Sequence, residues 1–124
     1  TVTFEVPTIN EVSANNKGIF ENMLKAFGKV PNLYATFAYN DTALADYLAL
    51  QNRKSTLTAK EREVINLVVS QVNDCKYCIP AHTFLAKMHG FTDDEILNIR
   101  RAQIDFNNKL QALARFVKET VVNK

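Results

Sequence analysis

Apolar positions recur at intervals of three and four along most of this chain, the period of an amphipathic helix. Ile19, Phe20, Met23, Leu24 and Phe27 form one such stripe, and Gly28 closes it. Upstream, Thr8-Ile9-Asn10-Glu11 has the spacing of a capping box, which predicts that the first helix opens there, after an extended arm over residues 1–7. Pro31 suits the first turn of a second helix with Leu33, Tyr34 and Phe37 on its face. Asn40 or Asp41 suits the cap of a third, which carries Leu44, Tyr47 and Leu48. Thr58-Ala59-Lys60-Glu61 is another capping box, heading a helix through Glu63, Val64, Leu67, Val68 and Val72. The β-branched pairs Val64-Ile65 and Val68-Val69 would suit a strand, but cap and length favour helix. A fifth helix begins near Cys78, continues through His82, Leu85 and Ala86, and stops at Gly90. Thr92-Asp93-Asp94-Glu95 heads a sixth with Ile96 and Ile99; after a break over residues 104–107, Leu110, Leu113, Ala114 and Val117 mark the last. The pattern predicts an all-α chain of six or seven helices.

Composition narrows the class. With 124 residues, 47% of them hydrophobic, the chain fits one domain over residues 1–124 with one core. The net charge of +2 is spread evenly, without a basic run, so nucleic acid is not expected as a partner. No apolar run is long enough to span a bilayer, and the N-terminal TVTFEVPTINEV lacks the basic region and apolar core of a signal peptide. Two cysteines placed as a CxxC point to a cytoplasmic thiol protein and away from a disulfide-stapled secreted one.

The chemistry concentrates in Cys75-Lys76-Tyr77-Cys78-Ile79-Pro80-Ala81-His82, which holds both cysteines and one of the two histidines. Two thiols separated by two residues can close a small disulfide, and a helix N-terminus or a neighbouring cation lowers a thiol pKa enough to make it nucleophilic. Pro80 is tolerated only in a first turn, so Cys78 is expected at or beside the helix start, where the dipole favours a thiolate. His82, four residues on, shares the helix face of Cys78 and can act as its base. Glu63 lies nine residues, or roughly 13 Å, before the expected end of the preceding helix, so antiparallel packing sets it at the depth of His82. Taken singly, such cysteines read as small buried hydrophobes and such a histidine as structural; their convergence favours redox chemistry. Zinc held by Cys75, Cys78, His82 and His89 is the alternative, though its ligand pairs usually come from separated elements. No metal or other cofactor is expected. A thioredoxin-like fold would need βαβ units, which the pattern lacks.

Glu63 followed by Cys75-x-x-Cys78-x-x-x-His82 resembles the active-site pattern of the alkylhydroperoxidase D-like proteins of the carboxymuconolactone decarboxylase superfamily. Lys29-Val30-Pro31-Asn32-Leu33-Tyr34, Leu57 to Glu63 and Gly90 to Ile96 are similar to it as well, so the resemblance covers most of the chain. It implies a compact all-helical protein, assembled as trimers or hexamers, that reduces hydroperoxides through a CxxC recycled by a dithiol or protein reductant. By the same resemblance Cys78 is the peroxidatic cysteine, Cys75 resolves it, His82 takes the Cys78 proton and Glu63 completes the relay. Tyr77 stands between the thiols where the best-known members carry histidine; as an auxiliary group its phenol can donate a hydrogen bond but does not shuttle protons near neutral pH. The decarboxylase branch, a lyase, does not need a CxxC. A third alternative is a redox-responsive binding module whose disulfide alters a partner surface.

Overall fold

The computed structural model describes residues 3–123. Among them are seven helices and no strand: α1 (Ala14–Phe27), α2 (Asn32–Phe37), α3 (Ala43–Gln51), α4 (Ala59–Val72), α5 (Cys78–Met88), α6 (Asp93–Arg100) and α7 (Asn108–Val122). They fall into two compact units, residues 1–54 with α1 to α3 and residues 55–124 with α4 to α7. Residues 1 and 2 of the expected N-terminal arm lie outside the described part, and residues 3–8 carry no helix.

In the first unit Phe20, Met23, Ala35, Ala38 and Leu44 form the buried centre, with Tyr34, Phe37 and Leu48 packed against it. The first helix starts later than the sequence pattern suggests. Thr8 and Glu11 do bond to each other, the Glu11 carboxylate accepting from the Thr8 N–H at 3.0 Å, but they close an isolated turn. The working cap is Ser13, whose hydroxyl accepts from the Asn16 N–H, so the helix opens at Ala14. Gly28, with φ +74°, ends it in the left-handed conformation that costs a glycine nothing. Asn40 serves α3 as expected: its Oδ1 accepts from the N–H groups of Thr42 and Ala43, both at 2.9 Å. Buried Asn16 donates to the carbonyls of Ala38 and Asn40, tying α1 to the α2–α3 connection.

The second unit is organised around α4, which packs against α5, α6 and α7. Val64, Leu67 and Val68 of α4 are fully buried among Ala86, Phe91, Ile96, Ile99, Ile104, Leu110, Ala114 and Val117. Both capping boxes foreseen here, Thr58 with Glu61 and Thr92 with Glu95, form reciprocally. Asn107 caps α7 by accepting from Leu110 N–H. Three helices of this unit end alike, in a Schellman turn whose left-handed residue is Asp74 after α4 (φ +49°), Gly90 after α5 (φ +97°) and Ala102 after α6 (φ +55°). In each, the next N–H reaches back to the helix: Cys75 to Ser70, Phe91 to Ala86 and Gln103 to Asn98. Only one of the three positions carries glycine, so two of these turns are invisible to a search for glycine.

Candidate functional site

The turn between α4 and α5 brings the thiols into place. With Asp74 left-handed, the Cys75 N–H donates to the Ser70 carbonyl at 3.0 Å and the Asp74 N–H to Gln71, fastening the start of the CxxC to the last turn of α4. Cys75 and Cys78 are joined by a disulfide, with Cα atoms 5.2 Å apart. Cys78 is the first residue of α5 and Tyr77 its N-cap. Pro80 is therefore the third helical residue, inside the first turn, where its missing N–H would have had no helical partner. The Cys78 N–H points at a sulfur, but at that of its partner: it donates to Cys75 Sγ at 3.1 Å. Lys76 lies on the outside of the turn in an exposed ion pair with Asp74 at 2.7 Å, an arrangement worth little in water.

One turn into α5, His82 faces back to α4. Its Nδ1 lies 3.0 Å from Oε2 of Glu63, with the side chains only 23% and 9% exposed. The antiparallel α4–α5 packing thus brings Glu63 and His82 together across 19 residues of sequence. Glu63 is held on its other oxygen by Asn66, whose Nδ2 donates to Oε1 at 3.4 Å. Ser70, buried, donates its hydroxyl to the Asn66 carbonyl at 2.5 Å while its own carbonyl receives Cys75. Asn66 and Ser70 were not singled out by sequence reasoning. Their signal was present, as positions three and seven after Glu63 on one helix face. With Nδ1 engaged by the carboxylate, Nε2 is the ring nitrogen that this contact does not use.

Tyr77 stands at the mouth of this arrangement, half exposed. The four residues of the zinc alternative are not gathered at one point. The thiols are bonded to each other, His82 faces Glu63, and His89 sits at the opposite end of α5 as its C-cap. Among the described residues no group of three or more His, Cys, Asp and Glu side chains is placed to hold a metal ion. No helix among them is long and apolar enough to cross a membrane.

An all-helical chain with a CxxC disulfide at a helix N-terminus and a buried carboxylate–imidazole pair across the neighbouring helix describes a class of thiol-bearing helical proteins. The chain matches the carboxymuconolactone decarboxylase family over residues 35–119, and it belongs to that family. The matched segment contains α4, α5 and every residue of the site. No curated protein matches the chain.

Proposed function

We propose that this protein is a thiol-dependent hydroperoxide reductase that cycles Cys75 and Cys78 between dithiol and disulfide. The observation that carries this reading is the placement of the disulfide one helical turn from a histidine whose other nitrogen is held by Glu63. In the reduced enzyme His82 Nε2 accepts the Cys78 proton, and the thiolate attacks the terminal oxygen of the hydroperoxide. The O–O bond breaks, Cys78 becomes a sulfenic acid, and the departing alkoxide takes the proton from His82 to leave as an alcohol. The Cys75 thiolate then attacks the Cys78 sulfur, expelling hydroxide that is protonated to water and closing the disulfide. A dithiol donor restores both thiols and is itself oxidised to a disulfide. Glu63, oriented by Asn66, fixes the orientation of the His82 ring, as a carboxylate does beside a catalytic imidazole.

The test is turnover of several hydroperoxides with several dithiol donors, monitored as peroxide consumed per donor oxidised. The expected result is catalytic consumption at one donor dithiol per peroxide. Stoichiometric thiol oxidation without turnover, for every donor, would instead favour a redox-responsive binding module.

We further propose that the protein works as a homo-oligomer built from trimers. Its support is the outer face of α5 and its cap, where Tyr77, Phe84 and Met88 are 52%, 60% and 67% exposed. Three large apolar side chains along one helix beside a redox site are more than a solvated surface ordinarily shows.

A further inference from the structure

Beyond the thiol site, the second unit carries a concavity with a distinct chemistry. The stripe Gln111, Arg115, Lys118, Glu119 and Val122 repeats at three and four along one face of α7 and looks across at the turn that follows α6, Arg101 to Gln103. Together they line an open cleft of about 470 Å³, within the range that holds a small organic molecule. The far wall is fixed in place. Gln111 donates from Nε2 to the Ala102 carbonyl at 3.0 Å and accepts from the Ile104 N–H at 2.6 Å. The turn is further locked by the left-handed Ala102 and the bond from Gln103 N–H to the Asn98 carbonyl.

Among the described residues three cations line this cleft against one carboxylate. Arg115 spends its Nε on Glu119 at 3.1 Å, leaving its terminal nitrogens available. Arg101 and Lys118 have no carboxylate within ion-pair distance among the described residues, whereas Lys76, Lys87 and Lys109 of the same unit are each paired. Like charges gathered around a concavity repel one another, and the cleft focuses their field so that an anion placed there relieves the repulsion. Guanidinium groups fit the oxygens of a carboxylate or phosphate in pairs, and the Ala102 and Val122 side chains offer an apolar contact for the remainder of such a molecule.

We propose that the cleft between α7 and the α6–α7 turn binds a small organic anion through Arg101, Arg115 and Lys118, with its apolar body against Ala102 and Val122. The site shares no residue with the CxxC arrangement, and its ligand bears a carboxylate or phosphate on a compact hydrocarbon body. The experiment is a titration of the oxidised full chain, followed by amide NMR shifts, with phenyl phosphate, benzoate, inorganic phosphate and neutral benzyl alcohol. Saturable shifts confined to residues 101–103 and 111–123 are expected with phenyl phosphate or benzoate, and no saturation with benzyl alcohol. Preference between the two aryl anions identifies the acid group, and inorganic phosphate weaker than phenyl phosphate shows the contribution of the apolar wall. Arg101→Glu is expected to weaken binding by about tenfold or more. Lys118→Glu, at an exposed position of α7, repeats the test should Arg101→Glu disturb the turn. Lys17→Glu, an exposed cation in the first unit, is expected to change affinity by less than about twofold. Absence of saturation, inorganic phosphate binding as tightly as the aryl anions, or equal loss in Lys17→Glu would overturn the proposal.

Discussion

Residue by residue, the two thiols of the CxxC are served by different groups. The first-turn N–H of α5 goes to Cys75 Sγ, while Cys78 lies one turn from His82. Under the proposed mechanism the acidity of Cys78 depends on the imidazole, and that of Cys75 on the backbone. His82→Ala is therefore expected to raise the Cys78 pKa and to slow peroxide reduction by about 100-fold or more, the scale of losing a positioned acid or base. Glu63→Gln is expected to act in the same direction but less. Cys75→Ser should differ in kind, permitting one oxidation of Cys78 to sulfenic acid without a disulfide or appreciable turnover. Alkylation rate against pH for the single-cysteine variants, with and without His82, checks the assignment; a Cys78 reactivity unmoved by His82→Ala would remove the imidazole from the relay.

Helix ends decide how the elements carry the site. Glu61 closes the N-terminus of α4, and its pKa is lowered first by the Thr58 backbone N–H, then by the Thr58 hydroxyl and by Lys109, 3.3 Å away on α7. A carboxyl with a folded pKa below its unfolded one contributes stability that is fully present above the unfolded value and lost as pH falls through the folded value. Denaturant midpoints of the wild type and Glu61→Gln should thus differ at neutral pH and converge in acid. The disulfide links residues three apart, and the chain-entropy effect of so short a loop is limited to about 2 kcal/mol. Reduction is expected to leave the helical circular dichroism intact and to lower stability by no more than that. The legibility of the elements in sequence followed the same feature. Thr58, Thr92, Gly28 and Gly90 announced their boundaries because their side chains, or lack of one, make the end bonds. Thr8 and Glu11 misled because they form the same reciprocal contact in a turn that no helix continues, and Ser13 took the cap. Ala102 gave no signal, since alanine does not advertise a left-handed turn as glycine does, whereas the helix end at Val72 was legible in the Asn73-Asp74 that follows it, aspartate being among the residues enriched in that conformation.

For the whole molecule, the pairing of Glu63 with His82 was legible because α4 and α5 are adjacent in sequence and antiparallel, so helix arithmetic alone sets their depths. The cleft against α7 was not, since it depends on how a turn after α6 meets a helix that begins eight residues later, a relation no periodicity encodes. Nor did periodicity separate residues 1–54 from 55–124 as compact units, because both repeat at the same helical interval. Light scattering at micromolar concentration tests the proposed assembly, with a trimer or a multiple of it expected and a monomer counting against it. Phe84→Glu on the exposed face of α5 should shift the population towards monomer if that face is the contact, as a charge does in an apolar interface.

The backbone bonds that fasten Cys75 to Ser70 and Asp74 to Gln71 do not involve the sulfurs, so they are expected to persist when the disulfide opens. Under the proposed mechanism Cys75 then meets a Cys78 sulfenic acid at a very high effective concentration, since neither the turn nor the helix start has to be ordered again. In kinetic terms this is protection against damage. Ring closure is then expected to outrun a second encounter with peroxide, so that sulfinic acid on Cys78 accumulates only when peroxide is in large excess or when Cys75 is replaced. Mass spectrometry of the oxidised chain across a peroxide series reads that balance directly.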